Sequence, residues 1–289
     1  MSNKDYLWMK LGVFVPEGHV LHRLARRFNA EMSAEPLVVQ SPQGRFREGA
    51  EMLDGLELEY ARAHGKHLFL KFGLESEEIS PWVHIHLGLY GKWQFTSLRD
   101  THDIPEPVGQ VRLRLIGDSQ CADLRGPNRC ALLTFDEVTA VIQRLGPDPL
   151  DPQKHDRTVF VDNVRRRRRS MGELVMDQSV VAGPGNIYRA EALFRIGISP
   201  FRTGARTSER RLRALWDDLC ILMEDGLDTG VITTVRDEDA PEQVIETDPE
   251  ASRFYVYHRT GRPCLHCETP ISEQLMAGRR LFWCPRCQR

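Results

Sequence analysis

Four cysteines near the carboxyl end restrict the fold of this chain more than any other feature of its sequence. They form two pairs, Cys264-x2-Cys267 and Cys284-x2-Cys287, separated by sixteen residues. Four thiolates at this spacing can complete a tetrahedral zinc site and leave no open position on the metal. Two disulfides or four unrelated thiols are the alternatives. The pattern predicts a small hairpin at the carboxyl end, held together by one structural Zn²⁺.

Length and charge leave several function classes open. The chain has 289 residues and a formal net charge of -2, so total charge does not identify a nucleic-acid binder. Five consecutive arginines, Arg165 to Arg169, form the strongest local charge, which is typical of a solvated face. We find no apolar run long enough for a membrane span and no secretory signal. The sequence therefore predicts a cytoplasmic protein whose other three cysteines are reduced thiols.

The hydrophobic pattern changes its period at a proline-rich break, residues 146–152. Before this break, a helix is predicted from Val20 onward, and strands are predicted over 56–63, 67–72, 82–89 and 111–116. After it, helices are predicted over 172–181, 186–196 and 208–227, followed by a polar loop over 228–252 and short strands over 254–258 and 281–283. These elements predict a multidomain α+β protein: a two-layer β-sheet flanked by the first helix, then a helical domain, then the hairpin.

Several short motifs are weak signals when each is considered alone. The motifs are Gly183-Pro184-Gly185-Asn186, Gly65-Lys66, the tip Leu89-Tyr90-Gly91 and Pro16-Glu17-Gly18. Each also has an explanation without any function: a tight connector, a surface lysine, a buried strand end and an ordinary chain start, respectively.

Taken together and in order, the motifs resemble the formamidopyrimidine-DNA glycosylase and endonuclease VIII family of base-excision repair enzymes. The resemblance covers residues 16–289. It implies an N-terminal β-sandwich catalytic domain over 16–146, a helix-two-turn-helix domain over 147–250, and a four-cysteine zinc-finger hairpin over 251–289, with DNA held in the cleft between them. Residues 1–15 would be an extension that the native protein lacks. The matching motifs are Pro16-Glu17-Gly18, Gly65-Lys66, His86-Leu87-Gly88, Asp177-Gln178 with Gly183-x-Gly185-Asn186, and the cysteine hairpin.

The resemblance implies four residues at the catalytic centre. Pro16 would attack the sugar C1′ of a flipped nucleotide, and the resulting iminium would act as an electron sink for strand cleavage. Glu17 would be the general acid/base that opens the sugar. Lys66 and Arg279 would hold phosphates around the lesion.

The resemblance also implies a set of DNA-binding residues: His86, Leu89, Tyr90, Asn186 and Glu191. Asn186 would hold a phosphate, Leu89 and Tyr90 would fill the void left by the extruded base, and Glu191 would be a carboxylate near the active site. The Leu-Tyr-Gly tip is closer to the endonuclease VIII branch, which favours oxidised pyrimidines.

Three departures from the family pattern bear on the mechanism. Val20 stands where many members have a glutamate, and Arg280 follows Arg279, although the spacing to Cys284 favours Arg279 as the phosphate contact. Pro16 is preceded by fifteen residues, and a peptide nitrogen cannot form an iminium. We therefore hypothesise that Val15 is the true initiator, read from a GTG codon, and that removal of its methionine exposes Pro16.

The leading prediction is a bifunctional DNA glycosylase that excises oxidised bases and cleaves the abasic site by β/δ-elimination. One alternative is a non-catalytic damaged-DNA-binding paralogue in which the extension blocks Pro16. Another is a zinc-hairpin nucleic-acid binder of unrelated function. The predicted partner is damaged DNA and the predicted state is a monomer, with no nucleotide cofactor and no membrane association.

Overall fold

The computed structural model describes residues 16–73, 81–99, 104–240 and 252–289. The predicted extension, 1–15, and residues 241–251 of the predicted polar loop lie outside this range. The chain divides into two compact units. Pro16, 25–62 and 67–138 belong to the first, whereas 17–24, 63–66 and 139–289 belong to the second. The domain limits at residues 146 and 250 stay predictions.

Two four-stranded sheets form the first unit, as the sequence predicts. One sheet has the strand order β1-β6-β7-β5 and the other has the order β2-β3-β4-β8. All pairings in the first sheet are antiparallel, as are β3–β4 and β4–β8 in the second. The strands are β1 (Val38–Gln40), β2 (Leu58–His64), β3 (His67–Phe72), β4 (Trp82–His86), β5 (Lys92–Ser97), β6 (Val111–Ile116), β7 (Gln120–Arg125) and β8 (Arg129–Leu133).

Three helices accompany these strands: α1 (Gly18–Glu31), α2 (Arg47–Leu53) and α3 (Phe135–Gln143). The predicted flanking helix is confirmed, because Phe28 of α1 packs edge-on against Trp93 of β5, with ring centroids 4.9 Å apart. The hydrophobic pattern of the sequence did not predict α2 and α3.

Strand β4 ends three residues earlier than predicted. It stops at His86, and the Gly91 amide then donates to the Leu87 carbonyl at 2.9 Å to form a turn. Gly88 has a φ of +68°, and a Cβ there would approach the Asn128 Cβ to 2.9 Å, so a side chain at this position would be strained. The turn presents Leu89 and Tyr90 at its tip.

The second unit is helical up to the cysteine hairpin. Its helices are α4 (Asp156–Arg165), α5 (Met171–Leu174), α6 (Asn186–Arg195) and α7 (Glu209–Thr229). The apolar stripe of α7 is buried against α4 and α6 in one continuous core, which includes Leu215, Leu219, Phe160 and Leu193. None of the helices in the described part of the chain has the length and apolar character needed to cross a membrane.

Helix α5 is much shorter than the predicted helix over 172–181. It begins with a capping box between Ser170 and Glu173 and ends at Leu174. After Leu174, polar side chains accept hydrogen bonds from backbone amides: Asp177 accepts from the Ser179 amide at 3.0 Å, and Gln178 accepts from the Gly183 amide at 2.9 Å. Such side-chain contacts compete with the backbone hydrogen bonds of a longer helix.

At the carboxyl end, β9 (Ser272–Met276) and β10 (Arg279–Trp283) form an antiparallel hairpin. The predicted strand at its carboxyl end is confirmed. The predicted strand over 254–258 is wrong, because residues 255–258 form bends and turns. The amides of Tyr255, Val256 and Tyr257 donate to the Glu191 carboxylate instead of to a neighbouring strand.

Candidate active site

Glu17 occupies the amino terminus of α6. Its carboxylate accepts from the amides of Gly185 at 2.7 Å and Ile187 at 2.9 Å, two of the donors that the start of a helix leaves unpaired. Gly185 allows this approach, because a Cβ at that position would lie 2.5 Å from the Glu17 Cδ. The Gly18 amide also donates to the Gly183 carbonyl at 2.9 Å. The glycine-rich motif and the first turn of α6 thus supply the backbone amides that hold the Glu17 carboxylate.

Burial and neighbouring charges set the protonation of this cluster. Glu17 is completely buried, which raises the pKa of its carboxyl group, while Lys66 and the α6 amides act in the opposite direction. Burial lowers the pKa of the Lys66 ammonium, Glu17 opposes this, and Arg279 lowers it further. The charges of Glu17 and Arg279 therefore act on Lys66 in opposite directions. A buried carboxyl group with a raised pKa and a cationic neighbour is typical of a candidate functional site.

A buried carboxylate that the sequence reading missed fixes the turn that carries Lys66. Asp148 is 1% exposed and accepts from the Gly65 amide at 2.6 Å and from His22 Nε2 at 2.8 Å. Gly65 has a φ of +55°, and a Cβ there would come within 2.8 Å of the Ala182 Cβ. Asp148 belongs to the proline-rich segment that we interpreted only as a domain boundary. The sequence does not show that its side chain pairs with His22 and Gly65, which are distant in the chain.

Asn186 and Arg189, on the first turn of α6, contact the cysteine hairpin. Asn186 Nδ2 and Arg189 Nη2 each donate to the Arg280 carbonyl at 3.0 Å. The Arg280 guanidinium is engaged elsewhere, because it forms two hydrogen bonds of 2.5 and 2.7 Å with Glu273. Glu273 raises the pKa of Arg280, and Arg280 lowers the pKa of Glu273 to about 2. The neighbouring Arg279 is the arginine whose charge acts on Lys66 and Arg189.

The four carboxyl-terminal cysteines converge as the spacing predicts. Their Sγ atoms all lie within 4.8 Å of one another. The Cys264–Cys287 and Cys267–Cys284 sulfur atoms are 3.8 and 3.5 Å apart, which is too far for a disulfide bond. The cluster could hold one metal ion in tetrahedral thiolate geometry.

Four further predicted site residues, Pro16, His86, Leu89 and Tyr90, lie in the first unit. Pro16 is buried and immediately precedes Glu17 in the chain. His86 is at the end of β4, where its Nδ1 accepts from the Gly88 amide at 3.1 Å. At the tip of the following turn, Leu89 is 38% exposed and Tyr90 is 84% exposed. The Tyr90 ring is therefore accessible from solvent.

Known protein families match residues in both units. Residues 15–130 match the formamidopyrimidine-DNA glycosylase N-terminal domain, and residues 145–237 match the formamidopyrimidine-DNA glycosylase H2TH domain. Endonuclease 8 1 of Mycobacterium tuberculosis is 43% identical over 277 residues, which cover 95% of this chain and all of that protein. The chain belongs to the formamidopyrimidine-DNA glycosylase and endonuclease VIII family. Membership makes it a DNA glycosylase with abasic-site lyase activity.

Two further relatives support this glycosylase assignment. Formamidopyrimidine-DNA glycosylase of Stenotrophomonas maltophilia is 31% identical over 84% of this chain and 86% of its own length. Among solved structures, Lactococcus lactis Fpg bound to DNA with an abasic site superposes with a TM-score of 0.76 over 95% of this chain and all of that one. That protein is only 21% identical, so it supports the fold of the glycosylase and nothing finer.

The geometry of the glycosylase requires a correction for Glu191, which we predicted as a DNA-binding residue. Its side chain is completely buried, and its oxygens accept from Thr234 Oγ1 and from the backbone amides of Tyr255, Val256 and Tyr257 at 2.5–2.9 Å. No surface is left for a nucleic acid. Glu191 instead organises the segment that leads into the cysteine hairpin.

Proposed function

We propose that this glycosylase excises oxidised bases, with oxidised pyrimidines favoured, through an N-terminal proline that forms a Schiff base. The observation that carries the proposal is the buried Glu17 carboxyl group, which the Gly185 and Ile187 amides hold at the start of α6 and whose pKa responds to Lys66. Pro16 directly precedes Glu17 in the chain, so the proposed nucleophile and the proposed acid are neighbouring residues.

The chemistry follows from these groups. The secondary amine of Pro16 attacks C1′ and the glycosidic bond breaks; its electron pair leaves with the base, which takes up the proton that the amine loses. Glu17, whose pKa is raised by burial, holds a proton that it can give to the sugar ring oxygen as the ring opens. The iminium that remains between Pro16 and C1′ withdraws electrons, so the Glu17 carboxylate can take the C2′ proton, the C3′–O bond breaks and the 3′-phosphate leaves. Water then hydrolyses the iminium and restores the Pro16 amine.

Cationic and amide side chains of the site are suited to bind DNA phosphates. We propose that Lys66, Asn186 and Arg279 contact phosphates next to the lesion. Leu89 and Tyr90 fill the gap that the flipped nucleotide leaves in the stack, and His86 contacts DNA near this tip. The exposure of Tyr90 supports the wedge role, and the Leu-Tyr-Gly sequence supports the preference for pyrimidines.

The mechanism requires a free amine at Pro16. An amide nitrogen has its lone pair delocalised into the carbonyl, so it cannot attack C1′. We therefore propose that the active form begins at Pro16 and that Val15 marks the start codon. The match to the glycosylase N-terminal domain begins at residue 15, which supports this position.

Borohydride trapping on abasic-site DNA tests the proline mechanism. The 289-residue chain and a form that begins at Pro16 are compared side by side. We expect only the shorter form to give a reduced covalent crosslink, because only a free amine forms an iminium. A crosslink from the longer chain would assign the nucleophile to another amine and contradict the proposal. Mass spectrometry of the amino terminus of the native protein then shows which form the cell makes.

A non-catalytic damaged-DNA-binding protein is the second candidate, because an amide bond between Val15 and Pro16 would prevent an iminium at Pro16. If neither form crosslinks but both bind abasic DNA more tightly than intact DNA, this candidate replaces the first.

We further propose that the cysteine cluster holds one structural Zn²⁺, that the enzyme is monomeric, and that it acts on nucleoid DNA in the cytoplasm. The thiolate donor set fits zinc, which would brace the hairpin and take no part in the chemistry.

A further inference from the structure

We infer that Arg189 is a positioning residue that holds Arg279 in place for its phosphate through the backbone carbonyl of Arg280. The inference rests on the proposed phosphate contact of Arg279 and adds a residue that no motif of the sequence indicated. Three observations support it: the burial of Arg189, the way the hairpin carbonyl is held, and the charges in the surrounding cluster.

The first observation is that Arg189 is a buried cation without a carboxylate partner. Its side chain is completely buried, and in the described ranges no carboxylate lies at ion-pair distance from it. Nη2 donates to the Arg280 carbonyl and to Asn186 Oδ1, Nη1 donates to the Gly172 carbonyl at 3.4 Å, and Nε has no acceptor. Burial of a charge is costly unless it is fully paired, so Arg189 is a poor choice for stability alone.

The second observation concerns the carbonyl that Arg189 holds. The Arg280 carbonyl accepts from both Arg189 Nη2 and Asn186 Nδ2, each at 3.0 Å. This fixes the β10 backbone one residue from Arg279. Successive side chains of a strand point to opposite faces, so Arg280 can pair with Glu273 while Arg279 faces the other way. A fixed backbone reduces the conformational entropy that Arg279 must lose when it binds a phosphate.

The third observation is the charge balance of the cluster. Burial lowers the pKa of Arg189 to about 10, with Glu17 opposing the shift and Arg279 adding to it. Arg189 therefore stays protonated at neutral pH. Glu17 and Arg279 act in opposite directions on the pKa values of both Lys66 and Arg189. Positive charge of Arg189 that is held by neutral carbonyl acceptors favours an incoming phosphate near Arg279.

A double-mutant cycle tests the coupling. It compares the wild-type chain with Arg189→Met, Arg279→Ala and the double variant. Methionine has a similar length and no donors, and replacement of a buried charge by an apolar side chain often leaves stability unchanged. The probe is a duplex with a tetrahydrofuran abasic-site analogue, so that binding is measured over a salt series without any reaction. Zinc content and melting temperature confirm that each variant is folded.

We expect Arg279→Ala to weaken binding about tenfold and to reduce the salt slope by about one phosphate contact. Arg189→Met should lower affinity several-fold and reduce the salt slope in the same direction. The double variant should bind no more weakly than Arg279→Ala, because Arg189 acts through Arg279. Arg189→Lys, which keeps the charge and one donor, should recover part of the loss.

Matched controls separate this role from a general effect on the fold. Arg195→Met changes an arginine on the same helix that pairs with Asp218, and it should lower the melting temperature without altering the salt slope. Additive losses in the cycle, or an Arg189→Met variant with the wild-type salt slope, would overturn the inference. If the wild-type chain fails to prefer the analogue duplex over intact DNA, the proposed function itself is wrong, and the inference falls with it.

Discussion

At the scale of single residues, burial decides what the ionisable side chains of this protein can do. Glu17 and Glu191 are both completely buried glutamates on or beside α6, and burial raises the pKa of each. Both carboxylates accept from backbone amides, but Lys66 acts on the pKa of Glu17, whereas Glu191 also accepts from Thr234 Oγ1. The proposed mechanism uses the first as a proton donor, and the second holds the segment that leads into the cysteine hairpin.

Glu191→Gln should destabilise the protein. An amide has one acceptor oxygen, and its NH₂ group would face backbone donors that now hydrogen-bond to a carboxylate, so buried donors would lose their partners. We expect a loss of about 2–4 kcal/mol in the free energy of unfolding, measured by denaturant titration. Glu209→Gln on the surface of α7 is the control and should change stability little. Equal stability of the two variants would contradict the buried network.

His84 makes stability depend on pH. It is 2% exposed, and its Nε2 is 2.7 Å from the Nδ1 of His67. Burial lowers its pKa to about 4, and the charges of Arg129 and His86 act in the same direction. The ordinary histidine pKa is about 6.5. Between these values the unfolded chain binds a proton that the folded chain refuses, so the free energy of unfolding falls as pH falls.

His84→Phe should remove this dependence. We expect the wild-type chain to lose stability between pH 6.5 and 4, with His84 contributing on the order of 3 kcal/mol, and the variant to lose correspondingly less. Denaturant titrations at half-unit pH steps measure the difference. His155→Gln removes an exposed histidine and serves as the control. Parallel pH profiles for the wild type and His84→Phe would show that His84 does not titrate as inferred.

At the scale of elements, hydrogen bonds join the start of α6 to the cysteine hairpin. The first turn of α6 binds Glu17 through its amides and the hairpin through Asn186 and Arg189. The hairpin has only two short strands, and we propose that Zn²⁺ in the cysteine cluster stabilises it. Loss of that ion should therefore release the Arg280 carbonyl and the neighbouring Arg279.

Cys284→Ser should abolish stoichiometric zinc binding and DNA binding together. Serine is a poor zinc ligand, and the hairpin would lose the site that holds it in place. We expect about one zinc per chain in the wild type by metal analysis, and a variant without salt-dependent affinity for the analogue duplex. Cys220→Ser, on α7 and outside the cluster, should keep its zinc. A variant that loses zinc but binds DNA normally would separate the hairpin from the site.

At the scale of the whole molecule, the second compact unit is assembled from three separate parts of the chain. Residues 17–24 and 63–66 supply Glu17, His22, Gly65 and Lys66 to a unit that otherwise begins at residue 139. Asp148 joins two of these parts, since both His22 and Gly65 donate to it. The helical unit is therefore incomplete without the amino-terminal segments.

A fragment of residues 139–289 should fold poorly and bind no DNA. Without His22 and Gly65, the Asp148 carboxylate would lose two of its hydrogen bonds, and the α6 amides would lose Glu17. We expect a broad thermal transition at a lower temperature than that of the full chain, measured by circular dichroism with equal zinc content. Asp148→Ala in the full chain is the companion variant and should destabilise it by about 1–3 kcal/mol. A fragment that melts sharply at the full chain's temperature would contradict this account.

The sequence by itself determined the features that depend on local pattern or on motif order. Helices α6 and α7 were predictable within two residues because their caps and apolar periodicity lie within them. The convergence of the four cysteines followed from their spacing. Strands β3 and β6 had the predicted bounds because alternation and turn residues define them locally.

Only the tertiary structure decided the roles of residues whose partners are distant in sequence. The segment 254–258 has the composition of a strand, but its amides donate to Glu191, more than sixty residues earlier in the chain. Asp148 holds Gly65, and Arg189 holds the Arg280 carbonyl, across separations of 83 and 91 residues. Periodicity reports which face of an element is apolar, but a hydrogen bond between distant residues depends on where the folded chain brings them. For that reason the convergence of the four cysteines was predictable, whereas the distant hydrogen bonds that hold Glu17, Gly65 and the Arg280 carbonyl were not.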